Sequence, residues 1–149
     1  IDMDEKKEKS AFICSRDTLE GAYPALVLGI NARRLGLETK IFYTFMGLNV
    51  IRKGWIDKVK FNPPGSLGAV PGMSSLATWL MKRQIQQANI PHLDDLQEMA
   101  QLEGVEFVAC QMTVDMMGLS QEDFIDGVVI QAAEEFMKYA LECKLSLFT

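Results

Sequence analysis

Two spacings of apolar residues alternate along the chain. Short runs rich in β-branched and aromatic residues predict strands, whereas stretches with an apolar residue every three or four positions predict helices. The predicted strands are residues 11–15, 39–45, 105–109, 128–130 and 145–148, and the predicted helices are residues 19–35, 75–89, 93–102 and 132–142. Because strands and helices take turns, this pattern predicts a three-layer α/β/α fold with a mainly parallel sheet of about five strands, a flavodoxin- or Rossmann-like architecture.

The ends of several elements carry residues that are typical of helix boundaries. Thr18 is a candidate N-cap for the first helix, and Gly36 suits its carboxyl end. Ser120 and Asp123 form a capping-box pattern that opens a short helix. Residues 112–117 are predicted to form a turn or another short helix. These signals support the element order that the periodicity predicts.

Residues 54–75 interrupt the pattern, because prolines and glycines are too frequent there for a regular element. A loop of this length in a small domain is typically functional or mobile. The sequence leaves open whether it is a flap, a subunit contact or an ordinary surface loop. Together with the amphipathic helix that follows, it exposes apolar area that one small domain hardly covers alone. We therefore expect a homo-oligomer with residues 54–90 at or near a subunit contact.

The composition is typical of one globular domain. The chain has 149 residues, of which 48% are hydrophobic and 23% charged, so residues 1–149 are predicted to form a single domain with an ordinary core. The net charge is −5 and the sequence has no basic stripe. Nucleic acid is therefore not expected as a partner, because phosphate binding depends on clustered lysine and arginine.

Neither a membrane segment nor a signal peptide is predicted. The apolar stretches are far shorter than the ~20 residues needed to span a bilayer. Residues 1–9 are predicted to be a charged tail that lacks the apolar part of a signal peptide, and Ile1 and Asp2 before Met3 are expected to be a cloning remnant. A cytoplasmic protein is the expectation.

The cysteine and histidine content limits the site chemistry. The cysteines are Cys14, Cys110 and Cys143, without a Cys-x-x-Cys pair, and His92 is the only histidine. A structural disulfide is not expected in a cytoplasmic chain, and a single histidine leaves too few soft ligands for a closed zinc site. We expect no metal ion and no cofactor. A Ser–His–Asp arrangement would need His92, which is predicted to start a helix.

Cys110 has the position expected of a reactive thiol. It ends a short apolar strand and precedes a predicted helical turn. The carboxyl ends of parallel strands are where open α/β sheets bind ligands, and the first N–H groups of a helix stabilise a thiolate, the reacting form of cysteine. Position alone leaves a second interpretation open, because free cysteine is also often buried as a small hydrophobe.

Three segments carry a further signal. Ile41–Lys53 contains Phe-Tyr-Thr-Phe-Met-Gly-Leu-Asn, Gly104–Gly118 contains Ala-Cys-Gln-Met-Thr, and Asp126-Gly127-Val128 opens a predicted strand. In this order they resemble the DsrE/DsrF-like family of small sulfur-transfer proteins, in particular its DsrE-like subgroup with a longer central insertion. The resemblance implies a three-layer α/β fold, homo- or hetero-oligomers, and a cysteine that carries sulfur as a persulfide or thiosulfonate. By its place in the motif, that cysteine corresponds to Cys110.

Other residues are candidates for the same site. Cys14 closes the first strand and should lie at the same edge of the sheet as Cys110, as a second carrier thiol or as a core residue. Arg16 starts the first helix and Arg52 follows the second strand, so both are candidate anion-binding residues. This matters because sulfane sulfur arrives as anions such as thiosulfate or on a partner's persulfide. Cys143, late in the last helix, is expected to be structural.

Three functions remain open at this stage. The first is a sulfur carrier, in which Cys110 takes sulfane sulfur from a small anion or a protein persulfide and passes it to an acceptor protein thiol. The second is a non-catalytic flavodoxin-like module that binds a small anion or a nucleotide. The first βα turn contains only Gly21 and no phosphate-loop pattern, which weakens nucleotide binding. The third is an oligomeric scaffold of a redox complex with an inert thiol.

Overall fold

Five strands pair in parallel into one sheet in the computed structural model, which describes residues 7–149. The strands are β1 (Lys9–Cys14), β2 (Glu38–Tyr43), β3 (Glu106–Cys110), β4 (Val129–Gln131) and β5 (Leu145–Phe148), and the α-helices are α1 (Leu19–Arg34), α2 (Met73–Gln87), α3 (Leu93–Leu102), α4 (Gln111–Met116) and α5 (Ala133–Leu141). The strands lie in the order β4-β3-β2-β1-β5. None of the helices in the described part of the chain is long and apolar enough to cross a membrane. The predicted α/β fold with a parallel sheet is confirmed.

The strand order explains why helices cover both faces of the sheet. The chain moves from β1 to β4 in one direction and then returns to the far edge for β5. Since parallel crossovers are right-handed, α1, α3 and α4 lie on one face, the first face, and α5 lies on the opposite, second face. Two buried clusters match this arrangement, because one joins the sheet to α1 and α3 and the other joins it to α5.

Side chains alternate between the two faces along each strand. The first-face cluster contains Phe12, Cys14, Ile41, Tyr43, Phe107 and Ala109, and the second-face cluster contains Ala11, Phe42, Val108 and Cys110. The register pairs Cys14 with Tyr43, and Tyr43 with Ala109. Cys14 and Cys110 therefore both end strands at the carboxyl edge, as expected, but they point to opposite faces.

Two strand boundaries differ from the prediction. Lys9 belongs to the predicted charged tail, yet it begins β1 and pairs with Glu38 of β2. Residues 1–6 of that tail lie outside the described residues. The second strand ends at Tyr43 instead of residue 45, because Phe45 has a φ of 47°. A residue in the left-handed region cannot continue an extended strand.

The Pro/Gly-rich segment 54–75 has more local order than its composition suggests. It contains two short 3₁₀ helices, Ile56–Lys58 and Gly65–Ala69, and α2 begins within it at Met73. Another 3₁₀ helix, Phe45–Ile51, precedes it. The predicted capping box of Ser120 is present and opens a 3₁₀ helix, Gln121–Asp123. Short 3₁₀ turns leave little sequence periodicity, so the apolar pattern did not predict them.

Two aromatic residues attach α5 to the second face. Phe136 is buried and stacks on Phe42, with ring centroids 4.3 Å apart. The Tyr139 hydroxyl donates to the carbonyls of Ser10 and Glu38 at 3.2 Å and 3.0 Å. α5 is the only helix on this face among the described residues. These contacts therefore decide whether the second-face cluster is shielded from solvent.

We expect Phe136→Ala to lower the free energy of unfolding by about 3–5 kcal/mol, because it removes the stacked, fully buried ring that attaches α5 to the sheet. Equilibrium unfolding in urea measures the change. Met137→Ala on the same helix is the control, since Met137 is 53% exposed, and it should change the free energy by about 0.5 kcal/mol or less. Equal effects of the two substitutions would contradict the assigned packing.

Candidate functional site

Cys110 lies where strand β3 passes into helix α4. It is the last residue of β3, it occupies the N-cap position of α4, and its Cα pairs with Gln131 of β4. The residue is only 2% exposed and belongs to the second-face cluster together with Phe136. The first amides of α4 follow directly. Because the residue is buried, a reagent needs a local opening of the surrounding structure to reach its sulfur.

The two longer motif segments touch each other beside Cys110. Thr113 of α4 is fully buried, and its Oγ1 accepts a hydrogen bond from the backbone N–H of Phe45 at 3.1 Å. The same atom lies 3.3 Å from the hydroxyl of Thr44. Sequence reasoning missed Thr113, although a threonine three residues after the cysteine was part of the recognised motif. Its role is to hold the loop after β2 against the start of α4.

A close backbone contact explains the glycine of the first motif segment. A Cβ atom on Gly47 would lie 2.2 Å from the carbonyl oxygen of Cys14, so the 3₁₀ helix passes this strand end only with glycine there. Two residues later, Asn49 is buried and donates to the Asp17 carboxylate at 2.8 Å. These contacts tie the loop after β2 to the loop after β1.

Cys14 has the surroundings of a core residue. It is fully buried, and its Sγ donates to the carbonyl oxygens of Arg16 at 3.4 Å and Gly21 at 3.7 Å. Burial raises the pKa of its thiol to about 11. A high pKa keeps the thiol protonated and unreactive at neutral pH.

The structure does not bring Cys14 and Cys110 together. They end strands that are separated by β2, so their Cα atoms are about 10 Å apart and their side chains point to opposite faces. A disulfide requires Cα atoms within about 7 Å. Direct exchange between the two thiols would therefore need a backbone movement. A role of Cys14 as second carrier thiol stays a prediction.

The two predicted anion-binding arginines differ in how they are held. Arg16 is exposed in the loop between β1 and α1, two residues before the N-cap Thr18. The guanidinium of Arg52 donates from Nη1 to the side chain of Asn49 at 3.0 Å and lies 4.4 Å from the ring centre of Trp55. Its Nε is buried and has no hydrogen-bond partner among the described residues. Neither arginine forms a hydrogen bond with Cys110 in residues 7–149.

Cys143 lies at the opposite, amino edge of the sheet. Its Sγ donates to the Tyr139 carbonyl at 3.3 Å, and partial burial raises the pKa of its thiol. His92 is exposed at the start of α3, as predicted. In the part of the chain that the structure describes, no three acidic, cysteine or histidine side chains are close enough together to hold a metal ion.

The raised pKa of Cys14 predicts a loss of stability in alkali. Below pH 9 the thiol is protonated in both states. Between pH 9 and about 11 the unfolded chain loses this proton while the folded protein keeps it, so stability falls as the pH rises. Cys14→Ala should remove that part of the slope, measured as the free energy of unfolding near pH 8 and near pH 10 in urea. Cys143→Ala, which removes a more exposed thiol, is the comparison. If Cys14→Ala keeps the full wild-type slope, the thiol is not the titrating group.

Comparison with known proteins identifies relatives along the whole chain. Residues 6–148 match the model of the DsrE/DsrF/DrsH-like family. The chain is 31% identical over 159 aligned positions to the sulfur carrier protein DsrE2 of Allochromatium vinosum, covering 96% of this chain and 99% of that protein. It is 27% identical over 159 positions to the uncharacterised protein YrkE of Bacillus subtilis, covering 98% of this chain and 99% of that protein.

The solved structures agree with the fold. The crystal structure of the YchN protein from E. coli superposes with a TM-score of 0.64 and 17% sequence identity, over 95% of this chain and 99% of the other. At this identity the likeness concerns the fold alone. The match of the family model over nearly the full length is the stronger finding. On that ground, the chain belongs to the DsrE/DsrF/DrsH-like family.

Proposed function

We propose that this protein is a sulfur carrier in which Cys110 holds sulfane sulfur covalently, as a persulfide or thiosulfonate, and passes it to a thiol of a partner protein. One observation carries the proposal: Cys110 ends the buried strand β3 at the start of α4, where Thr113 accepts a hydrogen bond from Phe45 of the other motif segment. The 31% identical relative that is named a sulfur carrier supports this class of function.

For the persulfide form, the proposed chemistry is a pair of sulfur transfers. The Cys110 thiolate attacks the outer sulfur of thiosulfate or of a partner persulfide. A bond forms between the two sulfurs, the S–S bond of the donor breaks, and sulfite or the partner thiolate leaves with the electron pair. An acceptor thiolate then attacks the outer sulfur on Cys110, and the Cys110 thiolate leaves. Neither step needs an external oxidant or reductant, and no cofactor takes part.

Arg16 and Arg52 are proposed to bind an anionic donor at the carboxyl edge. Arg16 is exposed and can donate to an anion, whereas the unpaired Nε of Arg52 is buried and becomes a donor only when it is uncovered. Both residues lie on the loops that the Asp17–Asn49 contact ties together. In this proposal they hold the small donor before it reaches the thiol.

We also propose a cytoplasmic homo-oligomer with residues 54–90 at a subunit contact. Large apolar side chains on α2 support the contact, because Leu76, Trp79 and Leu80 are each about half exposed. Light scattering at micromolar concentration distinguishes this from a monomer. An oligomeric scaffold with an inert Cys110 would show the same mass but would take up no sulfur.

A second candidate function is a non-catalytic module that binds a small anion or a nucleotide. A cavity of about 590 Å³ between α1, α2 and α3 favours it, with Trp79, Lys82 and Arg83 in its lining. This volume lies in the range of small-molecule sites. Equilibrium dialysis with a nucleotide tests this candidate independently of the thiol.

We expect thiosulfate or polysulfide to add the mass of sulfur to the peptide that contains Cys110, because this thiol is at the carboxyl edge and Cys14 is kept protonated by burial. Mass spectrometry with peptide mapping measures the addition. Cys110→Ser should abolish it, whereas Cys14→Ala and Cys143→Ala should retain most of it. Sulfur on Cys14 with Cys110 unmodified would overturn the assignment.

A further inference from the structure

Exposed apolar side chains flank the start of α4 beside Cys110. Phe45 is 51% exposed and Met46 45%, and they lie on the loop after β2. Met112 and Met116 on α4 are 61% and 58% exposed. Tyr43 of β2 pairs with Ala109 of β3, so both segments leave the sheet side by side. We name these four residues, Phe45, Met46, Met112 and Met116, the docking face.

Phe45 of the docking face is held in a backbone conformation that is unfavourable for a bulky residue. Phe45 has a φ of 47°, in the left-handed region that residues with a bulky side chain rarely adopt. The buried hydroxyl of Thr113 accepts the Phe45 N–H and fixes the loop. A large apolar side chain kept exposed in a strained conformation is typical of a residue that contacts another molecule. Flexible methionines beside it suit a surface that adapts to a partner.

Exposed carboxylates lie on the two helices that begin beside Cys110. Asp115 is exposed on α4 and accepts a hydrogen bond from Gln111 at 2.8 Å. Glu134 and Glu135 are exposed in the first turn of α5, which begins two residues after Gln131, the β4 residue that pairs with Cys110. Lys138 lies 3.4 Å from Glu134 and offsets one of these charges. The exposed charged side chains on α4 and in the first turn of α5 are therefore acidic.

We propose that the docking face binds the partner protein that exchanges sulfur with Cys110, and that this partner presents its thiol within an apolar contact surrounded by basic residues. The inference rests on the proposed function and specifies its partner. A second copy of this chain would bring its own carboxylates against Asp115, Glu134 and Glu135. This contact is unfavourable because like charges repel. Cys110 is 2% exposed, so a local opening has to expose its sulfur. Docking buries apolar surface, and the free energy gained offsets the cost of that opening.

The test uses the full-length protein and synthetic donors. Three peptides of equal length each carry one persulfidated cysteine, flanked by leucine and lysine, by leucine and glutamate, or by serine and lysine. Thiosulfate is the small donor. Peptide mapping over time gives the rate of sulfur arrival at Cys110. Phe45→Ser and Met112→Ser change the docking face, and the double variant Glu134→Gln, Glu135→Gln removes the two carboxylates of α5. Leu102→Ser and Glu98→Gln, exposed residues on α3, are the matched controls.

The wild type should take sulfur from the leucine–lysine peptide about tenfold faster than from either other peptide at low salt. Phe45→Ser and Met112→Ser should slow that transfer roughly fivefold and leave the thiosulfate rate unchanged. The double glutamine variant should lose the preference for lysine over glutamate. The control variants should behave as the wild type.

Equal rates for the three peptides, or face variants that match the controls, would overturn the docking proposal. Loss of self-association in Met112→Ser, measured by light scattering, would instead make the face a contact between copies and also overturn it. If thiosulfate loads Cys110 without any peptide preference, the docking face is wrong and the carrier function stands. If no donor loads Cys110, the carrier function itself fails.

Discussion

Neighbouring residues of a β-strand point to opposite faces of the sheet, and this period of two determines what each thiol can do. In β1 and β3 it turns Cys14 toward α1 and Cys110 toward α5. The first sulfur is enclosed by the larger core cluster, where burial raises its pKa to about 11. The second sulfur belongs to the smaller second-face cluster, beside the starts of α4 and α5.

The family motif corresponds to a set of backbone and side-chain contacts at the carboxyl edge of the sheet. Gly47 permits the loop after β2 to pass the carbonyl of Cys14, and Asn49 joins that loop to Asp17. Thr113 joins the same loop to α4. These contacts join the loops after β1 and β2 to the start of α4, the helix that Cys110 caps. The motif residues thus specify the shape of this edge.

The sequence predicted the order of elements and the carboxyl-edge position of Cys14 and Cys110, because apolar periodicity and strand ends are local properties. It did not predict that the two cysteines point to opposite faces, since this depends on the register between distant strands and on the return of the chain to β5. For Arg52, the sequence predicted only that it follows the second strand at the carboxyl edge of the sheet. Its contacts with Asn49 and Trp55 arise from a 3₁₀ helix that has no clear sequence period.

The discharge step tests the carrier account most directly. The protein is loaded on Cys110 with labelled sulfane sulfur, freed of donor, and mixed with one equivalent of an acceptor thiol that carries a distinct mass. The account predicts that the label moves to the acceptor as a persulfide, that Cys110 returns to a free thiol, and that the protein can be loaded again. Label that stays on Cys110, or that is released without reaching the acceptor, would contradict it.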